Sequence, residues 1–209
     1  MSPRDRGLPS RLVLATGNAG KLRELRALLA PWGVDVRSQS EFTALAADET
    51  GQSFVENAIL KARHAAAATG LPAIADDSGL EVDALGGAPG VYSARYAGPA
   101  ADDAANNARL LEALAEVPDD ERGARYRCAM VFLRRPDDAS PVICQASWEG
   151  RIARRPRGEG GFGYDPLFRV GDGEDTAAEL DPEVKNRVSH RGQALRALVA
   201  ALAGPDAAA

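Results

Sequence analysis

Strand-like apolar runs alternate with amphipathic helical segments along the first half of the chain, and this order limits the fold more than any other feature. RLVLAT (11–16) is typical of a buried strand, and KLRELRALLA (21–30) is typical of a helix with its leucines on one face. VDVRS (34–38) predicts a second strand. Such strand–turn–helix units build α/β sheets.

The second half of the chain contains two long strand-like runs in succession. RYRCAMVFLR (125–134) and PVICQASWEGRIA (141–153) are separated by the turn-forming PDDAS, which predicts an antiparallel hairpin. LFRV (167–170) predicts a short further strand, and a final helix begins near Ser189. The fold class that we expect is therefore α/β, with a mixed, twisted sheet flanked by helices.

Two further helices are marked by their first residues. Ser53 and Glu56 form an S-x-x-E capping box for a helix that Gly70 ends. The segment 102–117 begins with acidic residues, which the helix dipole favours. Between these helices, we interpret 72–75 as a strand, Asp76 to Gly79 as a turn and 80–85 as a second strand.

Length and charge narrow the class of protein. The 209 residues fit one domain, which we place at 11–203 between a short N-terminal tail (1–10) and a C-terminal tail (204–209). The N-terminus lacks the apolar region of a signal peptide, and no apolar run approaches the roughly 20 residues of a membrane span. A net charge of -5 argues against a general nucleic-acid binder. We expect no membrane or nucleic-acid partner.

The cysteines and lysines are few. Cys128 and Cys144 each fall within a strand-like run, which favours small buried hydrophobes over a disulfide or metal site and indicates a reducing, cytoplasmic setting. Only Lys21, Lys61 and Lys185 are lysines, against 22 arginines. A lysine kept in such a chain suggests a position that needs a compact ammonium group.

TGNAGK (16–21) connects a predicted strand to a predicted helix, where free N–H groups bind phosphate. Lys21 places a cation in the first helical turn, the unfavourable end of the dipole. A bound anion would remove this conflict. The alternative is a plain strand-to-helix turn.

SHRGQ (189–193) repeats the same conflict at the final helix. Ser189 is a good N-cap residue, yet His190 and Arg191 follow where acidic residues would be stabilising. This pattern indicates a second anion-binding helix start, with His190 as a ligand contact.

RGEGGFGYDP (157–166) predicts a loop rather than a dinucleotide-binding turn, because Asp165-Pro166 forbids a helix directly after it. An aromatic ring on this loop could stack on a base, and Asp165 could accept hydrogen bonds from base N–H groups. The alternative is that the aromatic residues anchor the loop.

Asp76 and Asp77 follow an apolar run, and consecutive residues of a strand point to opposite sides. With DETG (48–51), they supply the oxygen ligands that Mg²⁺ prefers alongside water and substrate phosphates. The alternative is a solvated Asx turn.

Five segments in this order resemble the inosine triphosphate pyrophosphatase family of non-canonical purine nucleoside triphosphatases. They are TGNAGK (16–21), ETGQSFVENAILKARHAA (49–66), PAIADDSGLEVDALGGAPGVYSARYAG (72–98), GGFGYDP (160–166) and SHRGQAL (189–195). The resemblance implies an elongated domain of two lobes with the active site in the cleft between them, in a homodimer. It also implies Mg²⁺-dependent hydrolysis of ITP, dITP and XTP to the monophosphate and pyrophosphate.

The resemblance assigns roles to individual residues. Asp77 would be catalytic and would hold the metal with Glu49, Asp48 being the adjacent alternative. The substrate-binding residues would be Thr16, Gly17, Asn18, Lys21, Lys61, Ser78, Phe162, Gly163, Tyr164, Asp165, Lys185, His190 and Arg191.

Two other functions are compatible with parts of this pattern. A non-catalytic nucleotide sensor would use the helix starts to bind polyphosphate, but it would gain nothing from carboxylates beside the phosphates unless a metal lay between. A nearer alternative is a related pyrophosphatase that acts on modified pyrimidine or methylated nucleotides.

Overall fold

The computed structural model describes residues 8–203, so most of the predicted N-terminal tail and all of the predicted C-terminal tail lie outside the described residues. One six-stranded sheet has the strand order β2-β1-β3-β4-β5-β6. The strands are β1 (Arg11–Leu14), β2 (Asp35–Ser38), β3 (Ala73–Val82), β4 (Gly123–Leu133), β5 (Val142–Ile152) and β6 (Phe168–Val170). Because β1 is parallel to β2 and β3 while β5 is antiparallel to β6, the sheet is mixed and the predicted α/β class is confirmed.

Within residues 8–203, five α-helices accompany the strands, and the predicted caps mark two of their ends. They are α1 (Ala19–Leu29), α2 (Phe54–Thr69), α3 (Asp103–Ala113), α4 (Pro182–Val188) and α5 (His190–Ala203). The predicted capping box of Ser53 and Glu56 is present, and Gly70 ends α2 in the left-handed region at φ 67°. None of the helices in residues 8–203 is long and apolar enough to cross a membrane.

Backbone contacts divide the chain into two compact units. The first unit contains residues 8–77, 128–146 and 191–203. Its β1 is buried on both faces, because Leu12 and Leu14 join one apolar cluster while Val13 joins another. The leucines of α1 and α5 complete the first cluster, and the alanines of α2 complete the second.

The second unit contains residues 78–127 and 147–190. Its core is built around aromatic side chains, including Tyr126, Trp148, Tyr164 and Phe168. Tyr126 and Phe168 pack with ring centroids 4.6 Å apart. The core of the second unit therefore contains more aromatic side chains than the mainly aliphatic core of the first unit.

The predicted turn at Asp76 to Gly79 is wrong, because β3 runs without interruption from Ala73 to Val82. The local composition favours a turn, but β3 lies between β1 and β4 in the sheet, and β1 pairs with its first residues, Ala73 and Ile74. Tertiary pairing has overridden a local preference here. The two aspartates consequently lie inside a strand rather than after its end.

Two other differences concern helices. We did not predict α4, although Asp181 caps it and Pro182 occupies its first turn, which is a recognised start signal. The helix predicted at 102–117 is shorter, since α3 ends at Ala113.

The two cysteine thiols are free. Cys128 is buried in the first apolar cluster, which also contains Leu12 and Leu14, and burial raises the pKa of its thiol to about 12. Cys144 is half-buried and packs against the same cluster. The prediction of small apolar residues is confirmed for Cys128 and holds in part for Cys144.

Candidate active site

Asp76 is a buried carboxylate in the middle of β3 that joins two cations of the first unit. Lys21 Nζ lies 3.0 Å from Asp76 Oδ2, and Arg191 Nε lies 3.2 Å from the same oxygen. Burial opposes ionisation of Asp76, but Lys21 and Arg191 outweigh it and hold the pKa well below its usual range. Asp76 therefore stays ionised at all ordinary pH values.

Arg191 is also buried and has a second carboxylate partner, because its Nη1 forms an ion pair with Glu24 of α1. Burial works against its charge, yet Asp76 and Glu24 raise the pKa of the guanidinium. Two of the groups predicted to conflict with the starts of α1 and α5, Lys21 and Arg191, are thus both paired with Asp76. A carboxylate of the protein itself resolves much of the conflict for which we had invoked an anion.

Asp77 points to a different set of side chains. Lys61 Nζ lies 2.5 Å from Asp77 Oδ1 and 3.6 Å from Glu49 Oε1. Burial raises the pKa of Asp77, and the opposing charges of Lys61 and Lys21 only partly offset this. Burial also disfavours the charge of Lys61, but Asp77, Asp76 and Glu49 together raise the pKa of its ammonium. A carboxyl group with a raised pKa, beside a lysine, is suited to accept a proton.

Asn57 connects DETG (48–51), the acidic loop, to Asp77, and it was not predicted from the sequence. Its Oδ1 accepts a hydrogen bond from Gly51 N–H at 2.8 Å, and its Nδ2 lies 3.5 Å from Asp77 Oδ2. A Cβ at Gly51 would lie 2.7 Å from Asn57 Oδ1, so this approach requires glycine. The signal that could have indicated Asn57 is a polar residue one turn before Lys61 on the buried side of α2.

The carboxylates near Lys61 fit a divalent cation that is shared with a substrate. Within residues 8–203, no three His, Cys, Asp or Glu side chains form a group that could hold a metal alone. Asp77 and Glu49 nevertheless offer carboxylate oxygens to one shared cation, the Lys61 ammonium. Mg²⁺ is commonly held by one or two carboxylates together with substrate phosphates and water, so this pair fits it.

The strand-to-helix connection is an ordered, accessible loop. Asn18 Oδ1 accepts the Lys21 N–H at 3.0 Å and so caps α1, while Thr16 Oγ1 accepts the Asn18 N–H at 3.1 Å. Gly17 is exposed, and a Cβ placed on it would meet nothing within 4 Å. The predicted turn is confirmed, and its phosphate-binding role stays a prediction.

Asp165 forms hydrogen bonds that order the loop 157–166, the candidate base-recognition loop, within the second unit. This buried carboxylate accepts hydrogen bonds from Phe162 N–H at 2.8 Å, Lys185 Nζ at 2.7 Å and Tyr126 OH at 3.3 Å. Lys185 also lies 5.1 Å from the centroid of the Phe162 ring. The structure thus brings Phe162 and Asp165 together with Lys185, which lies 20 positions after Asp165 in the sequence.

Tyr164 and His190 are buried in the same unit. Tyr164 OH donates to Ser93 O at 2.8 Å, and burial raises the pKa of its hydroxyl. The His190 ring stacks on Tyr126 with centroids 4.7 Å apart and planes 8° from parallel. The first arrangement favours the loop-anchor alternative for Tyr164. Two partners were not predicted, Tyr126 beside His190 and Glu24 beside Arg191. Each lies far along the sequence from the residue that it contacts.

Comparison with known proteins decides the family. The model of the Ham1 family matches residues 12–201. The chain belongs to the Ham1 family. The resemblance stated from the five segments is confirmed, because similar curated proteins carry the name dITP/XTP pyrophosphatase.

Ham1 family relatives match almost the whole chain. A dITP/XTP pyrophosphatase of Thioalkalivibrio sulfidiphilus is 63% identical over 194 residues, which cover 93% of this chain and 99% of that protein. A dITP/XTP pyrophosphatase of Escherichia coli K12 is 57% identical over 192 residues, covering 92% of this chain and 98% of that protein.

Solved structures of Ham1 family relatives have a similar fold. A HAM1 protein from Coxiella burnetii has a TM-score of 0.83 at 52% identity, covering 92% of this chain and 98% of that chain. A nucleoside-triphosphatase, or dITP/XTP pyrophosphatase, from Mycobacterium abscessus has a TM-score of 0.72 at 47% identity, covering 90% and 98%.

Proposed function

We propose that the chain is a nucleoside triphosphate pyrophosphatase that hydrolyses ITP, dITP and XTP to the monophosphate and pyrophosphate, and so removes non-canonical purines from the nucleotide pool. The observation that carries the proposal is the group formed by Asp77, Lys61 and Glu49 in the first unit. The names of the similar curated proteins support the choice of substrates.

Asp77 is the proposed catalytic residue. Its carboxylate would accept a proton from the water that attacks phosphorus, and in the metal-free chain burial raises its pKa. Lys61, 2.5 Å away, keeps enough positive charge beside Asp77 for the carboxylate to ionise. Asn57 holds the acidic loop near Asp77.

Mg²⁺ is the proposed cofactor, and Asp77 and Glu49 would hold it. Glu49 is the better candidate in the acidic loop because it faces Lys61, whereas the adjacent Asp48 forms no ion pair with Lys61 among the described residues. When bound, Mg²⁺ would neutralise phosphate charge and orient the reacting groups. Lys61, which faces both carboxylates, is also assigned to the substrate phosphates.

The phosphate chain would be bound by Thr16, Gly17, Asn18 and Lys21. The loop is exposed, its backbone precedes the start of α1, and the Lys21 ammonium is held by Asp76 rather than left to move freely. Lys21 would stabilise charge that develops on the leaving pyrophosphate. Because Asp76 is shared, the same carboxylate also fixes Arg191.

Base recognition is assigned to residues with donor groups or rings. A 6-keto purine presents an acceptor where adenine presents an amino donor, so cationic donors favour hypoxanthine and xanthine over adenine. Phe162 supplies a ring on the loop that Asp165 orders. The remaining assigned contacts are Ser78, Gly163, Tyr164, Lys185, His190 and Arg191.

The proposal extends to the setting of the enzyme. Residues 11–203 would form the catalytic domain, two copies would associate as a homodimer, and the enzyme would act in the cytoplasm. These proposals depend on the family resemblance and on the free thiols of Cys128 and Cys144.

Product analysis tests the proposed function. Purified protein with Mg²⁺ is given ITP, dITP, XTP, ATP and a modified pyrimidine triphosphate, and pyrophosphate and orthophosphate are measured separately. We expect pyrophosphate from the three non-canonical purines and much slower release from ATP. Binding without cleavage would favour the sensor, and preferential cleavage of the pyrimidine would favour the related pyrophosphatase.

A further inference from the structure

A pocket of about 300 Å³ lies in the second unit, and none of its residues has a role in the proposed reaction. It is lined by the end of β5, the segment that follows β5, and parts of β6 and of the turn near Asp119. Its lining residues are Asp119, Arg151, Ile152, Ala153, Arg154, Arg155, Arg157, Arg169 and Glu174. Its volume is at the small end of the range of ligand pockets, roughly 300–1,000 Å³.

The charge of this pocket is opposite to that of the chain. The chain carries a net charge of -5, yet five arginines and only two carboxylates line the pocket. Three arginines are held by ion pairs: Arg154 with Asp119 at 2.6 Å, Arg157 with Glu179 at 2.9 Å and Arg169 with Glu174 at 2.5 Å. Side chains that are held in place in this way lose less conformational entropy when a ligand binds.

Arg151 and Arg155 supply the charge that remains unneutralised. Within residues 8–203, neither forms an ion pair with a carboxylate. Arg151 is half-buried and donates to the backbone oxygen of Asp120 at 2.8 Å, whereas Arg155 is exposed. These two guanidinium groups can therefore bind an anion without breaking an internal ion pair.

A buried arginine behind the pocket adds to its positive charge. Arg122 is 2% exposed and donates to the carbonyl oxygens of Ile152 at 2.9 Å and Ala153 at 3.3 Å, two lining residues. Its other partner at short range is Leu114 O at 2.7 Å, so carbonyl groups rather than a carboxylate satisfy its donors. Burial, followed by the nearby charge of Arg154, lowers the pKa of Arg122. An anion in the pocket would relieve this accumulation of positive charge.

We propose that the arginine-lined pocket is a second anion site, which binds a small phosphate-bearing molecule through Arg151 and Arg155. The planar guanidinium group matches the geometry of phosphate oxygens, and two of them can hold two phosphoryl groups or one phosphoryl group from two sides. The small volume favours inorganic pyrophosphate or a monophosphate over a macromolecule. The proposal stands on the pocket's own residues and holds whether or not the proposed function is correct.

Calorimetric titration with inorganic pyrophosphate tests the site, using the intact chain without divalent metal. Two classes of pyrophosphate binding are expected, one at the pocket and one at the candidate active site. The double variant Arg151→Gln/Arg155→Gln should weaken the pocket class at least tenfold, and raising the salt concentration should weaken that class in the wild type. The matched control is Arg134→Gln/Arg135→Gln, which removes two exposed arginines of the first unit and should leave both classes unchanged. A further variant, Lys21→Gln, separates binding at the candidate active site from binding at the pocket.

Parallel titrations with orthophosphate and with a nucleoside monophosphate identify which phosphate-bearing source is preferred. The proposal is overturned if the Arg151→Gln/Arg155→Gln variant binds pyrophosphate as the control does, or if Lys21→Gln removes all binding. It is also overturned if the double variant alters only the oligomeric state measured by light scattering, because the pocket would then serve contact between copies. If the wild-type chain released no pyrophosphate from ITP but still bound pyrophosphate at the pocket, only the proposed function would be contradicted.

Discussion

Asp76 and Asp77 are adjacent in β3, yet their pKa values are shifted in opposite directions. Asp76 is held between Lys21 and Arg191, whereas Asp77 faces Lys61 with burial as the larger effect. Asp76 therefore stays ionised, whereas its neighbour, the proposed general base, has a raised pKa. The strand achieves this because consecutive residues point to opposite sides.

Asp76→Asn should destabilise the protein by about 3–5 kcal/mol at pH 7, because it leaves buried cations without their shared carboxylate. The folded pKa of Asp76 is lowered, so its stabilisation is present above the unfolded value of about 3.9 and is lost as the pH falls toward the folded value. The difference from wild type should thus be full at pH 7 and shrink below about pH 4. Urea unfolding at several pH values measures it.

The surface variant Asp35→Asn is the control for Asp76→Asn. Asp35 pairs with Arg11, and both side chains are about half exposed, so its loss should cost no more than about 1 kcal/mol. Equal effects of the two substitutions would contradict the shared role of Asp76.

Lys61→Met should move the acid limb of kcat/KM to higher pH. In the metal-free chain, burial raises the pKa of Asp77, and Lys61 is the largest opposing influence. Without that cation, Asp77 needs a higher pH to ionise. The measurement is the pH profile of pyrophosphate release, and a limb at the wild-type position would show that Lys61 does not control Asp77.

Gly51→Ala should reduce activity and also lower the free energy of unfolding. A Cβ would approach within 2.7 Å of Asn57 Oδ1 and the Glu56 Cβ, so the loop that carries Glu49 must shift. We expect a loss of at least tenfold in kcat/KM and a greater need for metal, measured by titrating Mg²⁺ into the assay. Wild-type metal dependence would mean that the loop position is unimportant.

Asp165→Asn should destabilise the second unit by about 3 kcal/mol and reduce the preference for ITP over ATP. It removes the charge partner of buried Lys185, and Phe162 then loses an anchor. The ratio of kcat/KM for the two nucleotides measures the preference. Asp172→Asn, at an exposed position of the same unit, should change neither property.

The order of strands and helices could be predicted because it depends on local periodicity and caps. The capping box of Ser53 is an example, since its donors and acceptors lie within one turn. The continuity of β3 could not be predicted, because DDSG is locally typical of a turn and only pairing with distant segments makes it a strand.

The candidate site was predictable in its titratable residues but not in their partners. Asp77 and Lys61 were both named, yet Asn57 appeared to be an ordinary helical residue. The positive charge at the start of α5 indicated an anion, whereas Asp76 and Glu24 lie 115 and 167 positions from Arg191. Pairs so far apart in sequence form only once the fold is complete.

Replacement of Asp77 alone tests the central claim most directly. Asp77→Asn keeps the size of the side chain but removes the base, so pyrophosphate release from ITP with Mg²⁺ should fall by at least about 10²-fold, the usual contribution of a general base. Circular dichroism and a free energy of unfolding within about 1 kcal/mol of wild type would establish that the fold is intact. Release of pyrophosphate at the wild-type rate by that folded variant would contradict the account.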